Sequence, residues 1–283
     1  MLPIGVNTFL LTSPFTNESI DIIRQFKDWG SDAIEIALED ASHIDPHLIK
    51  RALDDNGLRC SSICAAMGPG RDLRGTKEEQ QNSIDYITQV LDVMSVLDCP
   101  VMVGPLYSTV GRAEQTTEDD YKAQWDIVVK HLKTLASRAG DLGKKLAIEP
   151  LNRYETDFIN TCEQALKLAN AVDHPAVGLL LDTYHMNIEE KDSAAAIRKA
   201  GKHLLHVHAC GCDRGAPGND HIDWVGIRDA LKEVDYTGSL VIESFTPAVK
   251  VIAKAASIWR NFEPSREAIA VQGISFLRSH FGA

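Results

Sequence analysis

Short apolar, β-branched runs recur along the chain, and longer stretches with apolar positions every three or four residues separate them. The runs Ile4–Phe9, Ala33–Ala37, Arg59–Ala65, Val101–Leu106, Leu146–Pro150, Val177–Asp182, Leu204–Ala209 and Leu240–Ser244 predict eight strands. Between them lie predicted helices. Asn17–Trp29 sets Ile20, Ile23 and Phe26 on one face, with Gly30 as its stop, and Pro46–Asn56 ends before Gly57. Thr76 opens a long helix with Glu78 and Glu79 in its first turn, where acids suit the positive end of the helix dipole. Thr117–Ala139 ends before Gly140, Thr161 opens a helix carrying Leu166 and Ala169, Asp192–Ala200 ends before Gly201, and Asp223–Val234 follows. The tail, residues 246–283, reads as mostly helical with a break at Pro264.

Eight strand-then-helix units in 283 residues predict an α/β fold, a single (β/α)8 TIM barrel with an extra C-terminal helical segment, as one domain over residues 1–283. An open, doubly wound sheet normally carries a glycine-rich phosphate loop after its first strand. Here the first strand runs into Phe9-Leu10-Leu11-Thr12-Ser13-Pro14, so dinucleotide and P-loop functions lose their main signal. The composition, 44% hydrophobic and 24% charged, is that of a globular protein, and no apolar run approaches the ~18 residues of a membrane span. With 29 basic against 40 acidic residues the net charge is -11, which argues against a nucleic-acid partner. The six cysteines are scattered, mostly within apolar runs, as expected of reduced, buried thiols. The start MLPIGVNTF shows no basic region ahead of a long apolar core, so a cytoplasmic location is expected.

In such a barrel the polar residues at the C-terminal ends of the strands face the active site. From the fifth strand onward these are Glu149 in LAIEP, Asp182 in LLLDTYH, His208 in LLHVHA and Glu243 in LVIESF. Their spacings of 33, 26 and 35 residues are each about one strand-helix unit, so a closed barrel brings all four round one half of the rim. Three carboxylates and an imidazole favour one hard or borderline divalent ion such as Mn2+, Mg2+ or Co2+. Three clustered acids without a cation would repel one another strongly. Arg153 and Glu155 after strand five, His185 on the loop after strand six, and Arg214 after strand seven are further polar candidates, against the reading of each as a solvated loop residue. His206 shares a face with His208 and lies one layer deeper, where a structural role is the better reading. The four tryptophans fall on helical segments and read as packing or subunit contacts.

The stretches EPLNRYETDFINT (149–161), LDTYHMNIEE (181–190), HVHACGCDRGAPG (206–218) and YTGSLVIESF (236–245) resemble the ketose 3-epimerases, the D-tagatose, D-allulose and L-ribulose enzymes of the xylose isomerase-like barrel superfamily. IWRNF (258–262) resembles them too, and the likeness thins before Gly104. The resemblance implies that Glu149, Asp182, His208 and Glu243 hold one divalent ion. It implies that Glu149 and Glu243 are also the acid/base pair for inversion at C3 of a free ketose through a cis-enediolate. Glu155, His185 and Arg214 would bind the O1–O3 end of the sugar, and the assembly would be a homodimer or homotetramer. Two departures stand out. The segment HACGCDR (208–214) departs from the commoner His-x-Gly-Glu-x-x-Arg pattern of the family, with cysteine where many members carry glutamate, and a zinc site of His208, Cys210 and Cys212 is the minor alternative to cysteines acting as buried fillers. The segment GPLYSTVGR after strand four lacks the aromatic that covers the sugar in several members, and Asn7 stands where some have another aromatic. Tyr107 is the candidate substitute for substrate contact, with packing as the equal alternative. Competing activities are another metal-dependent sugar isomerase, a dehydratase, or an enzyme acting on 3-keto-glycosides. A DNA endonuclease of the superfamily would need more histidines and a basic face.

Overall fold

The computed structural model describes residues 1–114 and 116–282. Eight parallel strands close into a barrel in sequence order: β1 (Ile4–Asn7), β2 (Ala33–Leu38), β3 (Arg59–Ala65), β4 (Val101–Gly104), β5 (Lys145–Ile148), β6 (Val177–Asp182), β7 (Leu204–His208) and β8 (Leu240–Ile242). Closure is made by β1 and β8, with Ile4 opposite Leu240 and Val6 opposite Ile242. Helices follow the strands: α1 (Asp21–Asp28), α2 (Pro46–Asp55), α3 (Lys77–Val96), α4 (Glu118–Asp141), α5 (Cys162–Val172), α6 (Thr183–Glu189), α7 (Ser193–Ala200), α8 (Trp224–Glu233), α9 (Lys250–Ala255) and α10 (Arg266–Phe281). Among the described residues no helix is long and apolar enough to cross a membrane.

The predicted helix starts are built by side-chain caps. Thr76 and Glu79 satisfy each other's backbone donors at the start of α3, and Thr161 and Gln164 do the same for α5. Asp45 caps α2, with Pro46 in the first turn where its missing N–H costs nothing. One expected stop is corrected. α4 runs through Gly140 and ends at Asp141, and the left-handed turn falls on Gly143 (φ +66°). Gly140 is needed for space, since a β-carbon there would lie 2.9 Å from the His174 ring. The tail breaks over ten residues, 256–265, rather than at Pro264 alone.

The alternation of side chains along each strand divides the core in two. Ile34, Ile36, Leu179 and Leu181 face outward and pack with Ile23, Phe26 and Leu168 from the surrounding helices. Ala37, Cys64, Val101, Val103, Ala147 and Leu180 form a separate inner cluster, joined by Phe9, Phe245, Ala253 and Ile258. Polar residues that share strand parity with this inner cluster, Glu35 with Ala37 and Asp182 with Leu180, are thereby committed to the barrel interior.

Three tryptophans pack as predicted, Trp29 beside Phe26, Trp125 beside Tyr121 and Phe158, and Trp224 beside Phe276 and Phe281. Trp259 is exposed.

Candidate metal and sugar site

Each of the four strand-end residues is placed by backbone geometry. Asp182 and His208 are the last residues of β6 and β7 and lie opposite each other in the ladder. Glu149 and Glu243 directly follow β5 and β8, and the Glu149 N–H still donates to Gly104 O at 3.0 Å. Their ligand atoms all lie within 4.8 Å of one another, and all four residues are buried. His208 Nδ1 faces the three acids, at 3.3 Å from Glu243 Oε2, 3.7 Å from Asp182 Oδ2 and 3.8 Å from Glu149 Oε1. Two carboxylates about 4–5 Å apart repel by roughly 3–4 kcal/mol at an effective dielectric of 20, so the cluster needs positive charge.

The protein supplies one cation itself. Arg214 Nη1 donates to Asp182 Oδ2 (2.7 Å) and Glu243 Oε2 (3.0 Å), and the guanidinium lies between the rings of Tyr184 and Phe245, with Cζ at 4.2 and 4.8 Å. Its backbone holds φ at +68°, a left-handed conformation that is costly for a side chain of this size. Arg214 leaves part of the site unmet. Glu149 Oε1 and His208 Nδ1 are buried polar atoms with no hydrogen-bond partner. Leaving such atoms unpaired is expensive, and a cation bound among the four residues satisfies both. The donor set and its orphaned atoms therefore fit a divalent metal ion.

The electrostatics follow from burial and neighbours. Burial pushes the Glu149 carboxyl well above the usual range, and the charges of Glu243 and Asp182 add to the rise. Burial would also raise Asp182, but the Arg214 guanidinium outweighs it and holds the carboxyl below its ordinary value. For His208 burial opposes the charged ring, yet Glu35 and Glu243 raise its pKa well above normal.

The remaining candidates surround this centre. His185 is on α6, a helix where a loop was expected. Asp182 caps that helix by accepting from the Tyr184 N–H at 2.6 Å, which turns its other oxygen toward the ion site. His185 Nδ1 accepts from the Asn152 backbone N–H at 3.0 Å, so the neutral ring carries its proton on Nε2, which points to Arg214 Nη2 (3.0 Å) and Glu149 Oε1 (3.8 Å). Burial lowers the His185 pKa and favours that neutral form. Glu155 accepts from Asn152 Nδ2 at 2.7 Å and is half-buried. Arg153 is exposed and pairs with Glu189 at 3.0 Å, away from the centre.

Tyr107 is placed differently from the substrate contact expected of it. It is fully buried, and its hydroxyl donates to the backbone oxygens of Glu149 (2.9 Å) and Ile159 (3.1 Å), so it braces the end of β5. Tyr107→Phe should lower unfolding free energy by about 1–2 kcal/mol, the cost of leaving buried carbonyls unpaired. It should leave the KM for a ketose within about twofold, and a rise in KM with unchanged stability would restore the contact role. Cys210 is a buried filler, and Cys212 is half-buried. The Cys210 thiol donates to Glu243 O at 2.8 Å, burial pushes its pKa well up, and neither Cys210 nor Cys212 belongs to a potential metal-ligand group among the described residues.

Two residues were not anticipated. Asn152 links His185 to Glu155 through its side-chain amide, which a loop asparagine does not announce. Glu35 lies at the centre of β2, fully buried. It accepts from Asn7 and contacts both His206 and His208, and His206 is buried in the deeper layer expected of it. Its signal in the sequence was an acid enclosed by the apolar run AIEIAL.

Comparison with known proteins agrees with this geometry. Residues 23–280 match the family model of the xylose isomerase-like TIM barrel. A protein from Synechocystis sp. described as a probable ketose 3-epimerase is 36% identical over 98% of this chain and 96% of its own. A D-psicose 3-epimerase from Ruminiclostridium cellulolyticum is 32% identical over 84% of this chain and 82% of its own. Among solved structures, D-allulose 3-epimerase from Methylomonas sp. in complex with D-allulose superimposes with a TM-score of 0.92 at 28% identity, covering 99% of this chain and 97% of that one. The chain therefore belongs to the xylose isomerase-like TIM barrel family and, within it, to the ketose 3-epimerases, enzymes of the isomerase class.

Proposed function

We propose that the protein inverts C3 of a free ketose with one divalent ion, Mn2+ first and Co2+ or Mg2+ next, held by Glu149, Asp182, His208 and Glu243. The observation that carries this reading is the gathering of those four ligand atoms within 4.8 Å, with Glu149 Oε1 and His208 Nδ1 unpaired. The ion would supply Lewis acidity next to the ketose carbonyl, which makes the neighbouring C–H easier to ionise.

The chain's own residues do the rest. Glu149 and Glu243 follow β5 and β8, so they approach the centre from different sides of the barrel. One carboxylate takes the C3 proton from one face, and the other delivers a proton to the opposite face. Arg214 and His185 present two donors only 3.0 Å apart, an arrangement that a sugar oxygen accepting from both would relieve. Both would thereby hold the O1–O3 end and favour negative charge as it develops there. Glu155 would accept from the terminal hydroxyl. Among related proteins, structures with D-allulose and D-tagatose support a ketose of this size.

The test is NMR in D2O on chelator-stripped protein, with Mn2+ added back and a panel of free ketoses. Deuterium at C3 together with the C3 epimer, only with metal, is expected. A new aldose, loss of water, or no exchange on any free ketose would replace the reading with an isomerase, a dehydratase or a 3-keto-glycoside enzyme respectively.

A further inference from the structure

Beneath the four strand-end residues lies a second polar layer that the proposed chemistry does not use. Glu35 is at its centre, fully buried, with His208 Nε2 at 2.9 Å from Oε1 and His206 Nε2 at 2.9 Å from Oε2. Ser62 Oγ also donates to Oε2, and Asn7 Nδ2 donates to Oε1 at 2.6 Å. Three hydrogen bonds, from His208, Ser62 and Asn7, thus converge on one carboxylate beside the His206 ring, and the carboxylate pays for its burial only if it stays ionised and accepting. The geometry is that of a hydrogen-bonded support, since 2.9 Å is a normal N–H···O distance and both oxygens are already taken.

The arrangement has a directional consequence. A neutral imidazole, the form that takes a metal, leaves a lone pair on Nδ1 when it donates from Nε2 to Glu35, and Nδ1 is the nitrogen that faces Glu149, Asp182 and Glu243. Asn7 carries the same order to a second strand-end residue. Its Oδ1 accepts from the Phe9 N–H at 2.8 Å, which fixes the amide so that Nδ2 points inward, to Glu35 and to Glu243 Oε1 at 3.3 Å. With Oε1 held there, Glu243 turns Oε2 toward His208 Nδ1.

We infer that Glu35 is a positioning residue: it sets His208 in the tautomer whose Nδ1 receives the metal and, through Asn7, fixes which oxygen of Glu243 joins it. This rests on the metal-site reading above. Outer partners of this kind change metal affinity by about 10–100-fold when removed. Glutamine at position 35 keeps the shape but offers one neutral oxygen where the His208 ring and the Ser62 hydroxyl each need an acceptor.

The experiment compares wild type and Glu35→Gln by Mn2+ titration calorimetry, with circular dichroism as the fold control. Histidine-15N NMR of the Mg2+-loaded wild type reads the ring directly, with His208 assigned by its loss in His208→Asn. Expected are an Mn2+ Kd at least about tenfold weaker in Glu35→Gln, and an exchange-protected Nε2 proton on His208 in the wild type. A Kd within twofold in a folded variant, or a His208 ring protonated on Nδ1, overturns the inference. If Glu35→Gln does not fold, the wild-type spectrum decides alone. Failure of the wild type to bind Mn2+ at all would instead remove the metal-site reading.

Discussion

Glu243→Gln should abolish epimerisation while leaving a folded barrel. The substitution keeps the length and most of the hydrogen bonds of the side chain. Glutamine Oε1 can still accept from Asn7, and Arg214 retains Asp182 as its partner at 2.7 Å. The backbone carbonyl of Glu243, which accepts from Cys210, is untouched. What disappears is a carboxylate that can exchange a proton at C3. Removing a positioned acid or base costs about 10²–10⁴-fold in rate, and the loss of a ligand charge adds to it. Turnover should therefore fall by at least about 10³-fold, with the far-UV circular dichroism spectrum unchanged. Running the variant in D2O gives a second reading. If Glu149 still works alone on its own face, C3 deuterium can enter without inversion, and the epimer stays absent. Near-wild-type formation of the epimer would sink the two-carboxylate scheme, whereas loss of the fold would move Glu243 from chemistry to architecture.

Why that residue was legible in the sequence, and Glu35 was not, has a physical basis. Glu149, Asp182, His208 and Glu243 each end an apolar run, and parallel strands buried on both faces are nearly continuous apolar runs. A charged residue at the end of such a run is conspicuous. Glu35 sits inside its run, and its partners Asn7, Ser62, His206 and His208 come from three other strands, β1, β3 and β7. No pattern local to β2 reveals that convergence. α6 escaped for another reason. It is seven residues long, too short to display helical periodicity, and it is started by the Asp182 side chain, which reads first as a strand end. Tyr107 marks the opposite limit. A tyrosine offers an apolar ring and a polar tip, so its sequence neighbourhood fits a sugar contact and a buried brace equally well. Only the positions of the Glu149 and Ile159 carbonyls decide between them.

Chelator-stripped protein should be inactive, less stable, and restored by Mn2+. Without a divalent ion the site holds three carboxylates whose ligand atoms lie within 4.8 Å of one another, offset by one guanidinium and by the His208 ring, whose pKa the acids raise. Arg214 reaches Asp182 and Glu243 but leaves Glu149 Oε1 and His208 Nδ1 unpaired. The burial that pushes the Glu149 carboxyl up lets it hold its proton to higher pH, and a protonated acid is a poorer ligand. Lowering pH should therefore weaken Mn2+ binding, because protons and metal compete for the same groups. An ion that binds the folded chain and not the unfolded one stabilises by about 2.7 kcal/mol at a hundredfold excess over Kd. For a chain of this size each kcal/mol moves Tm by about 2–4 °C, so the midpoint should rise by roughly 5–10 °C on saturation with Mn2+. The increment should shrink in Asp182→Asn, which removes a ligand charge without emptying the barrel. The coupling of the two effects is the informative part. Activity and thermal midpoint should saturate over the same Mn2+ concentrations, since one site accounts for both. A midpoint that ignores metal while activity follows it would place the catalytic ion outside these four residues. Full activity in stripped protein would leave proton transfer to the carboxylates and Arg214 alone.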